Sequence, residues 1–411
     1  MNCRHCHAPL EHIFLDLGFA PPSNAYLRAD ELNQPEVYYP LKLYVCSKCW
    51  LVQTEDWPRP EELFSPDYAY FSSTSRSWLA HAGCYFDMII RRLRLGPKSF
   101  IIEVGANDGY LLKNFVALNI PCLGIEPASG PAAVAEAQGI PILREFFGEA
   151  LGKRLAKEGR LADLIICNNV YAHVPDINDF TAGLRTVLKP GGTVTLEFHH
   201  LMRLIEHTQF DTVYHEHFSY LSLYTVCRIF SKVGLRVFDV EELPTHGGSL
   251  RVYGCHEDDN RKTSAEVSRL LAKEKETGLR ELSTYQGFQA RADRIKNQLL
   301  LFLIEQKHRR RHVAAYGAAA KGNTLLNYAG VKKDLLPYIC DTALSKQGKF
   351  LPGSHIPILP PGVLKHRKPD ILLILPWNIA DEIARQHVYV QNWGGTFIVA
   401  VPEIKTIKIN P

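Results

Sequence analysis

Two stretches of this chain each join a buried strand to a helix through a glycine turn. The first runs over residues 101–110 and the second over residues 313–324. Glycine lets the backbone pass close to a ligand, and the start of the helix offers free N–H groups to an anion. Two such units in one chain predict two nucleotide-type domains, one for each of two nucleotide-bearing ligands.

The apolar pattern around these units alternates between strand and helix. After a helix over 78–95, we expect strands at 99–104, 121–125, 163–167, 192–198, 236–241 and 249–255. This alternation is typical of a parallel sheet with helices on both faces. Residues 261–308 have a helical pattern that breaks at Gly278. Further strands are expected at 338–340, 371–375 and 397–401.

The composition is that of an ordinary globular protein. The 411 residues suffice for two or three domains, with 46% hydrophobic and 22% charged residues. No apolar run predicts a signal peptide or a membrane span. The net charge of +4 is evenly spread, and the basic run at 307–311 is interpreted as a solvated helix end. We therefore expect no membrane and no nucleic-acid partner. The unpaired cysteines look like buried apolar residues of a cytoplasmic protein.

Two Cys-x-x-Cys pairs stand in the N-terminal region, namely Cys3 with Cys6 and Cys46 with Cys49. Each pair places two thiolates on one tight turn, and two such turns complete a tetrahedral zinc site. A redox pair is the alternative, but it would sit at a helix start after a strand. His5 and His7 are spare ligands nearby. We expect a structural zinc site in an otherwise irregular module over residues 1–75.

The first glycine turn carries the pattern Glu-x-Gly-x-x-x-Gly, with Glu103, Gly105, Asn107 and Gly109 at its key positions. A dinucleotide fingerprint would need glycine at 107 and near 110. The observed pattern is instead that of Rossmann-like methyltransferases, in which the acidic residue helps to hold the ammonium end of S-adenosylmethionine. Glu126 ends the next strand, where a carboxylate can accept both ribose hydroxyls.

Asn168 and Asn169 follow the 163–167 strand, in a loop that lies over the sulfonium of the cofactor in this fold. With the glycine turn, they predict a central class I methyltransferase domain over residues 76–258. An α/β core with ordinary surface acids is the structural alternative.

A polar segment at residues 211–220 follows the 192–198 strand and contains two histidines, a glutamate and two tyrosines. Histidine is suited to proton transfer near neutral pH, a neighbouring glutamate can orient it, and tyrosine can donate to a developing oxyanion. A zinc site made by His215 and His217 with His199 or His200 is a second interpretation. Histidines that are only hydrogen-bonded are a third.

The second glycine turn is the weaker signal, because Ala319 replaces the middle glycine of a dinucleotide fingerprint. NAD(P) binding, phosphate binding and an empty scaffold are all compatible with it. It predicts a C-terminal Rossmann-like α/β domain which, with a helical segment, covers residues 259–411. Its candidate ligand contacts are Lys321, Asn323, Asp341, Lys346, Trp377 and Asn378. Domain packing is the alternative role for Trp377.

Taken in order, the cysteine pairs, the Glu103–Gly109 turn, the Asn168–His173 loop and the Tyr214–His217 run resemble a known family. It comprises the C-3 methyltransferases that act on nucleotide-linked 4-keto-6-deoxy sugars. The resemblance extends over essentially the whole chain, and the Tyr-His-Glu-His run is its most specific part. It implies that the first two domains enclose the sugar and that the third helps to hold the nucleotide diphosphate.

The resemblance also implies individual roles, with His217 as the base that removes the C-3 proton. The implied catalytic set is His217, Tyr214, Glu216, Tyr68 and His173. Tyr214 and Glu216 would position the substrate or the base. Tyr68 matches a tyrosine at the sugar, and Tyr70 is the other candidate for that contact.

Elementary chemistry agrees with this assignment, because a ketone at C-4 makes the C-3 hydrogen acidic and lets a base form an enolate. Candidate carriers of the sugar are dTDP, GDP, CDP and UDP, and three domains around one site are compatible with a monomer. Two other functions stay open. One is an O- or N-methyltransferase for another small substrate, and the other is a non-catalytic zinc- and nucleotide-binding scaffold.

Overall fold

The computed structural model describes residues 1–55, 57 and 71–408, and these residues form three sheets. The strands are β1 (His12–Ala20), β2 (Tyr39–Val45), β3 (Val52–Thr54), β4 (Ile101–Val104), β5 (Cys122–Ile125), β6 (Ile142–Leu143), β7 (Ala162–Asn168), β8 (Leu188–His199), β9 (Ser219–Tyr220), β10 (Leu235–Leu243), β11 (Ser249–His256), β12 (Val313–Tyr316), β13 (Ile339–Cys340), β14 (Ile358–Leu359), β15 (Ile371–Ile374), β16 (Thr396–Val399) and β17 (Lys405–Ile407).

The α-helices lie between these strands and cover the sheets. They are α1 (Arg76–Leu93), α2 (Leu112–Ala117), α3 (Ser129–Ala137), α4 (Glu149–Lys157), α5 (Ile177–Val187), α6 (Leu201–Glu206), α7 (Leu223–Lys232), α8 (Ala265–Glu276), α9 (Leu282–Tyr285), α10 (Phe288–His308), α11 (Ala320–Tyr328), α12 (Val363–Arg367) and α13 (Ala380–Gln386). The predicted break at Gly278 is confirmed, because its φ of +77° lies in the left-handed region just after α8. No helix in the described ranges is both long and apolar enough to cross a membrane.

The sequence led us to expect an irregular N-terminal region, and this expectation is wrong. It forms an antiparallel sheet of order β1-β2-β3-β9. Alternating residues of β2 turn inward, with Leu41, Leu43 and Val45 buried. The fourth strand, β9, comes from the end of the polar segment 211–220. This pairing draws that segment against the N-terminal module.

The central sheet has the order β10-β11-β8-β7-β4-β5-β6. Its part from β8 to β6 is parallel as predicted, whereas β11 runs antiparallel to both β8 and β10. The tight connection between β10 and β11 through residues 245–247 explains the reversal, since a short loop joins only antiparallel neighbours. The strand order changes direction between β4 and β7, where α/β sheets bind ligands.

The C-terminal sheet has the order β14-β13-β12-β15-β16-β17, parallel except for β17. Its switch point lies between β12 and β15. The second glycine turn follows β12 at this point, and the Pro376–Asn378 run follows β15. Both predicted ligand loops of this domain therefore meet at one crevice.

One apolar core joins the N-terminal sheet to the C-terminal domain. Phe14 of β1 packs its ring 4.6 Å from that of Phe288 in α10 and 5.4 Å from that of Tyr285. Cys3, Cys46 and Cys49 lie instead in the core of the central domain. The N-terminal module is thus wedged between the other two domains, and each such buried aromatic contributes roughly 1.5–3 kcal/mol.

Candidate functional site

The four predicted zinc ligands converge. The Sγ atoms of Cys3, Cys6, Cys46 and Cys49 all lie within 4.8 Å of one another, and this is the metal-type cluster found in the described ranges. His5 is not a spare ligand, because its Nδ1 lies 2.9 Å from the Asn178 side-chain oxygen. Four thiolates with no further ligand fit a closed, structural zinc site.

The first glycine turn presents its backbone at the switch point of the central sheet. Gly105 has a φ of +68°, and a Cβ there would lie 2.4 Å from the Val170 side chain. Gly109 has a φ of +76°, and a Cβ there would lie 2.3 Å from Ile140. Both positions require glycine for backbone conformation and for close approach, as expected of a turn that cradles S-adenosylmethionine.

Two buried carboxyls flank this turn. Burial raises the pKa of Glu103 well above its usual value, and the Tyr110 hydroxyl offsets only part of that effect. Burial also raises the pKa of Glu126, although the backbone N–H groups of Ala128 and Asn107 each donate to it at 2.9 Å. A carboxylate left buried in this way is stabilised by a cationic or hydrogen-bonding ligand, and both groups fit the predicted contacts with the cofactor.

Three asparagines complete the predicted cofactor set. Asn107 accepts the Ser72 backbone N–H at 2.8 Å, so the chain just before α1 covers the turn. Asn168 ends β7 and is buried, with no hydrogen-bond partner for its Oδ1 among the described residues. Asn169 has a φ of +54°, and its Nδ2 lies 3.4 Å from Nε2 of His246. A buried acceptor without a partner, at the end of a strand that borders the switch point, fits a bound ligand.

His217 stands in a ring of aromatic side chains. Its ring centroid lies 4.0 Å from that of Tyr214, 4.6 Å from His173 and 5.9 Å from Tyr220. Its Nδ1 lies 3.0 Å from the Thr212 carbonyl oxygen, which can only accept. Nδ1 therefore carries the hydrogen, and Nε2 of the neutral ring keeps its lone pair.

The surroundings keep these histidines neutral. Burial lowers the pKa of His217 well below its usual value, and the neighbouring His173 lowers it further. Burial also lowers the pKa of His173 to about 4, opposed in part by a hydrogen bond to the Glu216 backbone. Burial raises the pKa of the Tyr220 hydroxyl, so that it remains an O–H donor at neutral pH. The site can thus offer one basic nitrogen beside a proton donor.

The other two members of the Tyr-His-Glu-His run point elsewhere. His215 places Nε2 at 3.3 and 3.2 Å from the carbonyl oxygens of Tyr39 and Pro40, where β2 begins. Glu216 is buried, and its two carboxylate oxygens lie 2.8 and 2.9 Å from Nδ2 of Asn24, which donates to them. The predicted alternative of a histidine zinc site is wrong for the described residues, because these side chains do not converge.

The second ligand crevice faces the same polar segment. Lys321 donates to the Asn378 side chain at 2.7 Å, and its ammonium lies 4.7 Å from the centre of the Trp377 ring. Trp377 donates its indole N–H to Asp211 at 2.6 Å. Burial raises the pKa of Asp211 to about 6, although Lys321 and the indole N–H favour its ionised form. Trp377 therefore also serves domain packing, the alternative left open above.

Asn323, Asp341 and Lys346 lie around the second glycine turn. Asp341 accepts the Ala318 backbone N–H at 2.8 Å, and Lys346 donates to the Ala318 carbonyl at 2.9 Å. Asn323 is buried and donates to the Ser23 carbonyl at 3.4 Å. These groups hold the turn itself and connect it to the N-terminal module. Tyr68 and Tyr70 lie outside the described residues.

Sequence reasoning missed several polar residues of the site. They are Asn24, Tyr26, Gln209 and His246. Gln209 donates to the Gly247 carbonyl at 2.9 Å, so its Oε1 faces His199 Nε2 at 2.5 Å. Tyr220 and His199 were visible as polar residues near a strand end. Asn24 and Tyr26 carried no local signal, because they reach the site only through long-range contacts.

Comparison with known proteins gives matches along almost the whole chain. A zinc binding domain family matches residues 3–64, a methyltransferase domain matches 79–240, and a C-methyltransferase C-terminal domain matches 244–402. C-methyltransferase NovU from Streptomyces niveus is 33% identical over 408 residues, which cover 99% of this chain and 97% of NovU.

Two of the solved structures that are similar to this chain each cover less than half of it. The PH0226 protein from Pyrococcus horikoshii OT3 is 12% identical, with a TM-score of 0.38 over 46% of this chain and 95% of that one. Magnesium protoporphyrin IX methyltransferase from Synechocystis PCC 6803, with bound SAM, is 13% identical, with a TM-score of 0.32 over 43% and 80%. These two scores are too low to carry an argument. The match to NovU and the three matching families show that the chain belongs to the C-methyltransferase family, as an S-adenosylmethionine-dependent enzyme with a zinc-binding module of four cysteines.

Proposed function

We propose that this enzyme transfers a methyl group to C-3 of a nucleotide-linked 4-keto-6-deoxy sugar, with His217 as the base. S-adenosylmethionine supplies the electrophilic methyl group. The match to a named C-methyltransferase over 99% of the chain supports carbon as the acceptor. A carbon acceptor needs a base and a means of stabilising the enolate, which a hydroxyl or amine acceptor does not.

The observation that carries the proposal is the tautomer of His217. Its Nδ1–H donates to the Thr212 carbonyl at 3.0 Å, which leaves Nε2 as the basic atom. Because the pKa of His217 lies well below its usual value, the ring is unprotonated at neutral pH and its Nε2 lone pair is free. The C-3 proton would pass to Nε2, and the electron pair of the C–H bond would become the enolate.

The aromatic side chains around His217 would stabilise the enolate. Tyr214 and Tyr220 are its phenol neighbours, and burial keeps Tyr220 protonated by raising its pKa. A donor placed where negative charge develops typically lowers the barrier by several kcal/mol, about 2.7–4 for one oxyanion donor. We propose that the enolate oxygen would lie next to Tyr214 and Tyr220, and that Asn168 would lie near the sulfonium of S-adenosylmethionine.

The C-terminal crevice would hold the nucleotide diphosphate of the sugar. Lys321 brings a half-buried ammonium to the first turn of α11, which itself attracts anions. Candidate carriers remain dTDP, GDP, CDP and UDP.

We also propose that the domain boundaries lie after residues 75 and 258. We further propose that a monomer suffices, because one chain supplies both crevices. We propose that the enzyme works in the cytoplasm, because none of its ten cysteines, all in the described part of the chain, forms a disulfide.

The test is a mass-spectrometric assay of the purified enzyme with S-adenosylmethionine and a panel of nucleotide-linked 4-keto-6-deoxy sugars. One sugar should gain one methylene, and NMR should place it on C-3. In deuterated water without cofactor, the same sugar should take up deuterium at C-3. If the enzyme binds S-adenosylmethionine but changes no sugar in either assay, the sugar assignment fails and another carbon acceptor must be sought.

A second arm tests the base with matched variants. His217→Asn keeps a donor near Nδ1 for the Thr212 carbonyl and removes Nε2, so turnover should fall by about 10²–10⁴ while cofactor affinity survives. Tyr220→Phe and Tyr214→Phe should each lower turnover with a smaller effect on cofactor affinity. Full activity of His217→Asn would remove this residue from the mechanism.

A further inference from the structure

A short segment of the N-terminal module, residues 23–27, touches both other domains at once. The backbones of Leu27 and Phe350 exchange two hydrogen bonds, at 3.0 and 2.8 Å, and so join the segment to the C-terminal domain. The Ser23 carbonyl accepts a hydrogen bond from the Asn323 side chain at 3.4 Å, and the Ser23 hydroxyl lies 3.4 Å from the Thr324 hydroxyl. These contacts fix the position of the segment independently of its two largest polar side chains.

Tyr26 fastens the segment to the second glycine turn. Its buried hydroxyl lies 2.6 Å from the carbonyl oxygen of Ala318, to which it donates. Lys346 donates to the same carbonyl at 2.9 Å, and its ammonium lies 5.4 Å from the centre of the Tyr26 ring. A movement of this turn would therefore displace the carbonyl oxygen to which Tyr26 donates.

Asn24 extends the connection to the catalytic segment. Its Oδ1 lies 3.3 Å from the Tyr26 hydroxyl, and its Nδ2 lies 2.8 and 2.9 Å from the two oxygens of Glu216. The carboxylate can only accept, so the amide nitrogen of Asn24 must face it. Glu216 is 2% exposed, and a carboxylate buried to that degree depends on the donors that it meets.

We propose that Asn24 is a positioning residue, which orients Glu216 and thereby His217, and that Tyr26 links this pair to the nucleotide crevice. The proposal rests on the function proposed above. Glu216 is followed at once by His217, and its backbone bonds to His173. Rotation of the Glu216 side chain out of its place would therefore disturb both histidines of the site. Binding of a nucleotide diphosphate at the second glycine turn would stiffen the same chain of contacts.

The experiment compares Asn24→Ala, Asn24→Asp and Tyr26→Phe with Ser23→Ala as the matched control. Ser23→Ala removes a hydroxyl from the same segment without touching Glu216. We expect kcat to fall by about 10–100-fold in Asn24→Ala and by about 3–10-fold in Tyr26→Phe, with the Kd for S-adenosylmethionine unchanged. Ser23→Ala should stay within about twofold of the wild type.

A readout that general loosening would not move is the pH profile of Asn24→Asp. This variant faces one carboxylate with another, so it should regain activity as the pH falls and the pair takes up a proton. Equal kcat in the wild type and Asn24→Ala, on a sugar that the wild type methylates, would overturn the proposal while leaving the proposed function intact.

If the wild type methylates no sugar, hydrogen–deuterium exchange of the backbone amides at 211–220 tests the positioning role of Asn24. That result would sink the proposed function alone. Faster exchange of these amides in Asn24→Ala than in Ser23→Ala would still support the positioning role. Identical exchange in the two variants would overturn it.

Discussion

His215 should control the acid stability of the enzyme without taking part in turnover, although it lies two residues from His217. Its Nε2 donates to the carbonyl oxygens at the start of β2, 3.3 and 3.2 Å away. Its Nδ1 is buried with no hydrogen-bond partner among the described residues. Protonation would therefore bury an N–H group that has nothing to donate to. In His215→Gln the amide keeps a donor near Nε2 and cannot take up that proton.

The magnitude follows from the shifted pKa. Burial lowers the pKa of His215 from 6.5 to about 4, so the unfolded chain binds more protons than the native one between these values. Stability is then lost as the pH falls from about 6.5 towards 4, by about 3 kcal/mol in total at 1.36 kcal/mol for each pKa unit. At pH 5.5 the loss is about 1.4 kcal/mol, and at pH 7.5 it is close to zero.

The assay is urea denaturation of the wild type and of His215→Gln at pH 7.5 and 5.5. The difference between the two proteins should shift by about 1.4 kcal/mol in favour of the variant on acidification. Comparison at equal pH cancels the contributions of the other buried histidines and of the zinc thiolates. His308→Gln, an exposed position at the end of α10, is the control and should show no such shift.

Two results would refute the reasoning. A difference that stays constant between pH 7.5 and 5.5 would mean that His215 titrates alike in the folded and unfolded chain. A drop in kcat of about 100-fold in His215→Gln at pH 7.5, like that expected for the loss of a base, would place this residue in the catalytic machinery.

Three further predictions concern the other parts of the site. Gly105→Ala introduces left-handed backbone strain and a Cβ 2.4 Å from the Val170 side chain, so calorimetry should show that the affinity for S-adenosylmethionine falls by about tenfold or more. Gly191→Ala is the control, because its φ is +76° but its Cβ would meet open space, and it should retain that affinity. Cys46→Ser should lose about one zinc per chain by elemental analysis and melt earlier, unlike Cys84→Ser at an exposed single cysteine. Trp377→Phe removes the indole donor from the buried Asp211 carboxylate and should cost roughly 1.5–3 kcal/mol in denaturation.

Those parts of the fold that repeat a local pattern were predictable from the sequence. Most strands of the central and C-terminal sheets came within about four residues of their predicted positions, and the glycine turns follow β4 and β12 as expected, but the short strands β6, β14 and β17 were not predicted. The cysteine pairs met because two tight turns suffice to bring four thiols together. Each strand, each glycine turn and each single cysteine pair is set by residues within about a dozen positions, so a single sequence contains that information.

The N-terminal sheet was missed for a physical reason. β1 pairs with β2 through two shifts of register, so its buried residues do not alternate strictly and its period of two is hidden. β9 contributes only two residues and comes from a distant part of the chain. Neither strand carries a signal within its own window, and both are stabilised by partners far away in sequence.

The Tyr-His-Glu-His run shows why residue roles need the structure. The spacing of its two histidines cannot tell which one is the base, because their different partners come from other parts of the chain. His215 meets carbonyls of β2, whereas His217 meets the Thr212 carbonyl and the rings of His173 and Tyr214. The lone pair of neutral His215 is on Nδ1, which is buried and has no hydrogen-bond partner among the described residues, whereas that of His217 is on Nε2, beside the other aromatic side chains of the site. The proposed choice of His217 as the base therefore rests on where the unprotonated ring nitrogen of each histidine lies.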